Sequence, residues 1–199
     1  MNQPASIEPF HVMEVIKAVE ARIAAGRTIL RLEVGQPSSG APTTVVAAAQ
    51  AALASGNALG YTESLGIRPL RERIAAHYAD RYGVTVDPDR VVVTVGSSVG
   101  FVLAFLAAYR VGARVAVTEP GYPCYRNTLL ALDRTPVAIP LGEGYRLGVE
   151  ALDDVYDAGG LEGGLDGAVV ASPANPTGTV LDRRHHRSRA APVSLAALN

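Results

Sequence analysis

Three short segments of this 199-residue chain concentrate the side chains that could do chemistry. Gly96-Ser97-Ser98 separates a β-branched run from an apolar helical stretch, so it stands at a helix start. Free backbone N–H groups and the positive end of the helix dipole favour an anion there, and two hydroxyls add the donors a phosphate monoester needs. The dipole alone contributes only about 0.3–1 kcal/mol, so other side chains must assist. A serine N-cap without a ligand is the alternative for the same residues. Pro120-Gly121-Tyr122-Pro123-Cys124-Tyr125 and Asn175-Pro176-Thr177-Gly178 are turns that carry two tyrosines, a thiol and a side-chain amide.

A second chemistry is written over the first. Gly96-Ser97-Ser98-Val99-Gly100 matches G-x-S-x-G, the nucleophile elbow of serine hydrolases, with Ser98 as nucleophile. Asp153 or Asp166 could serve as the acid and His185 as the base, in the required order. Against this, His185 and His186 stand in a stretch without apolar pattern, and His11 and His77 precede the serine. Lys17, the only lysine, falls on an amphipathic helix and reads as a solvated surface residue. Cys124, the only cysteine, excludes an intramolecular disulfide, fits a reducing cytoplasm and reads as a small apolar filler.

The elements that must hold these segments follow from periodicity. Residues 11–25 repeat apolar side chains at three- and four-residue steps and predict a helix. A short extended piece over 29–34 ends at Gly35-Gln36-Pro37, and an alanine-rich helix over 43–55 takes Thr43 or Thr44 as N-cap. A helix over 70–82 is closed by Gly83. Then strand and helix alternate: a buried strand over 91–95, a helix over 99–110, a strand over 114–118 and a helix over 125–132. Strands over 136–139 and 167–171 enclose a short helix over 149–155. Such alternation predicts an α/β fold with a mostly parallel sheet covered on both faces, where ligands sit beyond the carboxyl ends of the strands. All three chemical segments fall at those ends.

Composition agrees. A hydrophobic share of 48% with 19% charged residues reads as globular, and a formal charge of −1 points to neither nucleic acid nor an anionic membrane. No export signal is visible, and the longest apolar run, 99–111, falls short of the roughly 20 residues a bilayer requires. From Asp182 the text becomes Arg-Arg-His-His-Arg-Ser-Arg, for which two readings compete: a disordered basic tail that binds something acidic, or a reading frame lost after about Arg183.

From Val34 to about Val180 the chain resembles the fold-type-I pyridoxal-phosphate (PLP) enzymes, in particular the class I and II aminotransferases. The resemblance rests on Val34-Gly35-Gln36-Pro37, Gly60-Tyr61, Gly66-Ile67-Arg68-Pro69-Leu70-Arg71 and Val93-Thr94-Val95-Gly96-Ser97-Ser98. Glu119-Pro120-Gly121-Tyr122-Pro123-Cys124-Tyr125 and Asn175-Pro176-Thr177-Gly178 complete it, all in order. It implies that Ser97 and Ser98 bind the phosphate of pyridoxal 5′-phosphate, Tyr122 stacks on its ring, and Asn175 donates to its phenolate oxygen. It further implies that Tyr61 reaches the phosphate of a neighbouring subunit in a homodimer and that Gly35 meets the substrate carboxylate. A packed tyrosine and a plain turn glycine are the alternatives at those two positions.

The resemblance also implies residues with no counterpart here: an aspartate for the pyridinium nitrogen, the Schiff-base lysine, and an arginine for the substrate α-carboxylate. The expectation is therefore an N-terminal portion of an aminotransferase, acting by family on an amino acid and a 2-oxo acid, but truncated, inactive and without a catalytic residue. Residues 1–42 would be an N-terminal arm and small-domain segment, 43–181 an incomplete PLP-binding domain, and 182–199 the basic tail. Any cofactor would be held non-covalently. With about four strands and an open sheet edge, the isolated chain would be poorly soluble or partly molten. Another fold-type-I reaction (C–S lyase, decarboxylase or synthase), a non-catalytic partner of a second chain, and the serine hydrolase stand as alternatives.

Overall fold

The structure is a computed structural model that describes residues 11–35, 39–148, 150–151, 154–155 and 164–181. These fall into two compact bodies divided between Val93 and Thr94.

The first body is helical. α1 (His11–Ala24) and α2 (Thr43–Ala54) bury none of their residues, whereas α3 (Arg68–Tyr82) buries Arg71 and Ala75. α1 follows its apolar period, and α2 follows alanine's helix propensity. α3 has Pro69 in its first turn, where the missing N–H is of no consequence, and ends at Gly83, whose φ of 66° is the left-handed cap geometry. Arg71 is the organising residue of this body. Its guanidinium, 5% exposed, donates to Glu63 Oε2 (2.8 Å), Asp89 Oδ1 (3.2 Å) and the carbonyls of Gly66 (3.0 Å) and Pro88 (3.2 Å). It thereby ties the 63–66 loop and the short 3-10 turn Pro88–Arg90 to α3. Lys17 lies on the surface in an ion pair with Glu14, as its helical setting predicts.

The second body holds the sheet. β1 (Arg114–Glu119) is central, with β2 (Thr135–Pro140) and β3 (Gly167–Val169) on either side, both parallel to it. Parallel pairing needs crossovers, and α5 (Pro123–Ala131) supplies the first, packing on β1 and β2. α4 (Ser97–Ala108) packs on α5, with Phe101 edge-on to Tyr125. The opposite sheet face presents Ala116, Ile139, Ala168 and Val170, covered by Leu147, Ala151, Val155, Leu165 and Leu181. β1, buried from Val115 to Val117, therefore reads as a continuous apolar run instead of an alternation.

Arg134 joins the far ends of the two helices. Its buried guanidinium donates to the carbonyl of Tyr109, the C-cap of α4, and to that of Leu132, the C-cap of α5. Carbonyls at helix C-termini carry partial negative charge, which offsets a cation that has no carboxylate within ion-pair reach among the described residues.

Two local expectations are corrected. Residues 91–95 form no strand: Val93 N–H donates to Leu65 O, no described strand pairs with the run, and Val95 is 88% exposed. A β-branched sequence becomes a strand only beside a ladder partner, so the sheet has three strands among the described residues instead of four. α2 is preceded by Pro42 at its N-cap position, so Thr43 and Thr44 lie inside the helix and neither caps it. No strand is assigned over 29–34. The helix over 149–155 is seen at 150–151 and 154–155; Val149, Leu152 and Asp153, the turn residues Gln36 and Pro37, and the tail from Asp182 lie outside the described residues.

Candidate active site

The strand order β2-β1-β3 places the reversal of chain direction across the sheet at β1 and β3. In an open parallel sheet such a reversal opens a crevice beyond the carboxyl ends of the two strands, because the connections leave in opposite directions. The loops that leave there are 120–122, after β1, and 170–178, after β3.

α4 contributes a third edge. Its N-cap is Gly96, at φ 84°, and no side chain caps the helix start. Ser97 and Ser98 are exposed, so backbone N–H groups and two hydroxyls meet solvent together. Thr94 Oγ1 donates to the Gly96 carbonyl (2.8 Å) and steadies the turn that precedes them. Ser98 Oγ lies 3.6 Å from Cys124 Sγ, which brings the starts of α4 and α5 side by side. Cys124 is buried and also meets Thr128 Oγ1 at 3.7 Å; the filler role read from sequence holds, with a linking contact added.

Tyr122 is the N-cap of α5, half-buried, with its ring edge-on to Tyr125 at 5.5 Å between centroids. Burial, and secondarily the Cys124 thiol, push its phenol above the usual range, so it is neutral at physiological pH. The turn before it is tight. A Cβ on Gly121 would stand 2.2 Å from the Thr118 carbonyl oxygen, so only glycine lets the chain fold back after β1.

Asn175 follows β3 in a turn over 175–177. The loop closes on itself through Gly178 N–H to Ala174 O (2.7 Å) and Ala174 N–H to Thr179 O (2.8 Å). The Asn175 amide is exposed and makes no hydrogen bond among the described residues. An uncapped helix start with two exposed hydroxyls suits an anion, and the Asn175 amide is a separate donor on the β3 loop.

The contacts thus join Ser98 to Cys124, two residues past Tyr122, and the topology puts the Asn175 loop on the strand adjacent to β1. A cleft of about 40 Å³ is lined by Thr118, Leu141, Tyr145, Val170, Ala174 and Thr179, among others. It has room for one or two waters, and Ser97, Ser98, Tyr122 and Asn175 do not line it. Gly35 and Tyr61 belong to the first body; both are exposed. Sequence reasoning missed Thr179 and Tyr145, which buttress the Asn175 turn; nothing in residue type marks them, because the contact joins residues 34 positions apart.

Of the two acids offered to the hydrolase alternative, Asp166 is engaged elsewhere. Asp166 accepts from Arg114 N–H (2.9 Å) and Arg110 (3.1 Å) at the amino ends of β1 and β3, the end of the sheet away from the loop that leads into α5, where Cys124 meets Ser98. Ser98 is the second residue of a regular helix, not the apex of a strained elbow. Asp153 and His185 lie outside the described residues. Among the described residues no group of acidic, histidine or cysteine side chains could hold a metal, and no helix is long and apolar enough to cross a membrane.

Known proteins share this sequence and fold. The chain is 51% identical over 177 residues to a valine–pyruvate aminotransferase of Mycobacterium tuberculosis, matching 89% of this chain and 44% of that protein. It is 32% identical over 178 residues to a (5-formylfuran-3-yl)methyl phosphate transaminase of Methanocaldococcus jannaschii, 89% of this chain and 45% of the other. A crystal structure of an aminotransferase from Mycobacterium tuberculosis superposes with a TM-score of 0.83 at 47% identity, covering 93% of this chain and 46% of its own. A Methanococcus jannaschii structure, described as similar in its active site to kynurenine aminotransferases, gives a TM-score of 0.84 at 28% identity, over 99% of this chain and 51% of its own. The chain therefore spans about half the length of the relatives it matches, and its α/β fold is the corresponding part of a fold-type-I aminotransferase. Residues 27–188 match the family Aminotransferase class I and II, and with every loop of the crevice inside that match, the chain belongs to that family.

Proposed function

We infer that this chain supplies the cofactor-phosphate and ring-binding portion of a PLP-dependent aminotransferase that moves an amino group between an amino acid and a 2-oxo acid. The name of the 51%-identical relative supports valine and pyruvate as the substrate pair. When bound, pyridoxal 5′-phosphate supplies an electron-withdrawing ring that stabilises negative charge developing on the substrate's Cα. Ser97 and Ser98 bind its phosphate through backbone N–H groups and hydroxyls. Tyr122 orients the ring with its aromatic face, and Asn175 holds the phenolic oxygen through its amide. Gly35 meets the substrate carboxylate with backbone, and Tyr61 extends to the phosphate of a second subunit in a homodimer. On this reading residues 1–42 form the arm and small-domain segment and 43–181 the cofactor-binding domain.

The observation that carries the reading is the shared edge of α4 and α5. It gathers an uncapped helix start, two exposed serines and the Tyr122 loop around the Ser98–Cys124 contact at the carboxyl ends of the strands.

Covalent attachment of the cofactor needs a lysine, and Lys17, the one lysine in these 199 residues, is paired to Glu14 on α1. The chain on its own is thus expected to take up the cofactor without a covalent bond and not to turn over. Equilibrium dialysis with pyridoxal 5′-phosphate, followed by borohydride treatment and mass spectrometry, tests both halves. Saturable binding that Asn175→Ala weakens about tenfold, with no reduced adduct, is the expected result. The loss corresponds to one hydrogen bond to a charged oxygen. Absence of binding sinks the assignment, and a reduced adduct on Lys17 sinks the claim of non-covalent uptake.

A further inference from the structure

We propose that Thr179 is a positioning residue for Asn175, holding the turn that aims the Asn175 amide by means of a two-step hydroxyl relay to the Tyr145 carbonyl. The inference rests on the role given to Asn175 above. Thr179 Oγ1 donates to Tyr145 O at 3.2 Å and lies 2.9 Å from Thr177 Oγ1. A hydroxyl has one proton to give, so with that proton committed to Tyr145 the shorter bond is donated by Thr177. The relay therefore runs from Thr177, two residues past Asn175, through Thr179 to a carbonyl 34 positions away.

The rest of the loop makes this the point of control. Asn175 lacks any hydrogen bond of its own among the described residues, so the backbone turn that carries it is what aims it there. That turn is closed by Ala174 N–H to Thr179 O (2.8 Å) and Gly178 N–H to Ala174 O (2.7 Å), bonds internal to the loop. Leu181 N–H to Ser172 Oγ (3.0 Å) shuts its base. Of these loop contacts, only the Thr179 hydroxyl reaches a different segment of the chain. The receiving carbonyl is itself fixed. Tyr145 adopts φ 57°, a left-handed conformation rare for a bulky residue, and its N–H is bound to Gly142 O (3.0 Å).

The test compares Asn175→Ala, Thr179→Val, Thr179→Ser and the double variant Asn175→Ala/Thr179→Val in the 199-residue chain. Pyridoxal 5′-phosphate affinity is read by equilibrium dialysis, and the bound cofactor's absorbance band is recorded. Valine keeps the β-branched shape and removes both hydroxyl bonds, whereas serine keeps both. Thr179→Val is expected to weaken binding about fivefold, the size of one net hydrogen bond, and to move the band in the direction Asn175→Ala moves it. Thr179→Ser should bind as the parent does, and the double variant should bind no worse than Asn175→Ala. Parent-like binding by Thr179→Val, or losses that multiply in the double variant, would overturn the proposal; a merely structural threonine gives the multiplied loss and no band shift. Should Thr179→Val fail to fold by circular dichroism, Thr177→Val breaks the first step and is judged by the same cycle with an effect of about twofold. If Asn175→Ala binds as the parent does, the role of Asn175 falls and the positioning role with it. If Asn175→Ala loses affinity and Thr179→Val does not, only the positioning role falls.

Discussion

The two bodies of this chain are both rich in alanine and valine, yet they use them in opposite ways. In the body from Thr94 onward, Val115, Ala116, Val117, Leu129, Ile139 and Ala168 are buried around a three-stranded sheet. In the body up to Val93, the equally apolar α2 buries nothing, and Val45, Val46 and Leu53 are exposed. The sheet body is held by packed apolar area, whereas the described ties between segments of the helical body are polar: Arg71 with its carbonyl and carboxylate partners, Arg68 with Asp89, and Arg31 with Glu20 and Glu33. Apolar content alone does not make a core. A strand ladder gathers side chains from distant parts of the sequence onto one face, and isolated helices have no such device.

Substitutions can break or sharpen this contrast. The largest effect is expected from Leu129→Ala, which empties a fully buried site between α5 and the sheet. It should cost about 2–5 kcal/mol in denaturant unfolding, while Val45→Ala on α2 should change stability by no more than about 0.5 kcal/mol. Equal effects would erase the distinction. Next comes Arg71→Ala, expected to cost about 1–3 kcal/mol. The loss is limited because Glu63, at 60% exposure, stays open to water once unpaired, and Asp89, at 66%, keeps its ion pair with Arg68. Local hydrogen exchange over residues 63–66 should rise with it. Gly83→Ala, forcing a Cβ into a left-handed cap, is expected to cost about 1 kcal/mol and to fray the last turn of α3.

The pH response is smallest near neutrality and belongs to the sheet body. Burial raises the phenols of Tyr109, Tyr122 and Tyr125, with Cys124 adding to the last two. A raised folded value means the folded state keeps its protons when the unfolded state has lost them. The stability they contribute is thus complete below the ordinary tyrosine range near pH 10 and is lost as pH rises through the folded values. Unfolding midpoints measured from pH 9 to 12 should fall above pH 10 as the phenolate absorbance recorded in parallel rises. A flat profile would show that these rings are not held neutral by the fold.

Much of this could be read from residues alone. The helices around residues 11–24 and 68–82 and the strands around 114–119 and 135–140 announce themselves through local period, turn residues and caps. The crevice loops were legible for a related reason: Gly96, Gly121 and Gly178 punctuate ends of elements, and ligand chemistry collects at ends. What was not legible depends on partners far along the chain. Val91 to Val95 has ideal strand composition and no strand to pair with among the described residues. Arg71, Arg134 and Thr179 look like ordinary polar residues until the fold brings four, two and two acceptor or donor groups to them.

Arg134 has one more effect. By gripping the tails of α4 and α5 together, it gives the two rods a common baseline. α4 has 12 residues and α5 has 9, so the rods measure about 18 Å and about 13 Å from that line. Their heads, where Ser98 and Tyr122 stand, inherit whatever offset the tails are given. The gap between the Ser98 helix start and the Tyr122 ring is in this way gauged from the far end of the sheet, by a buried residue.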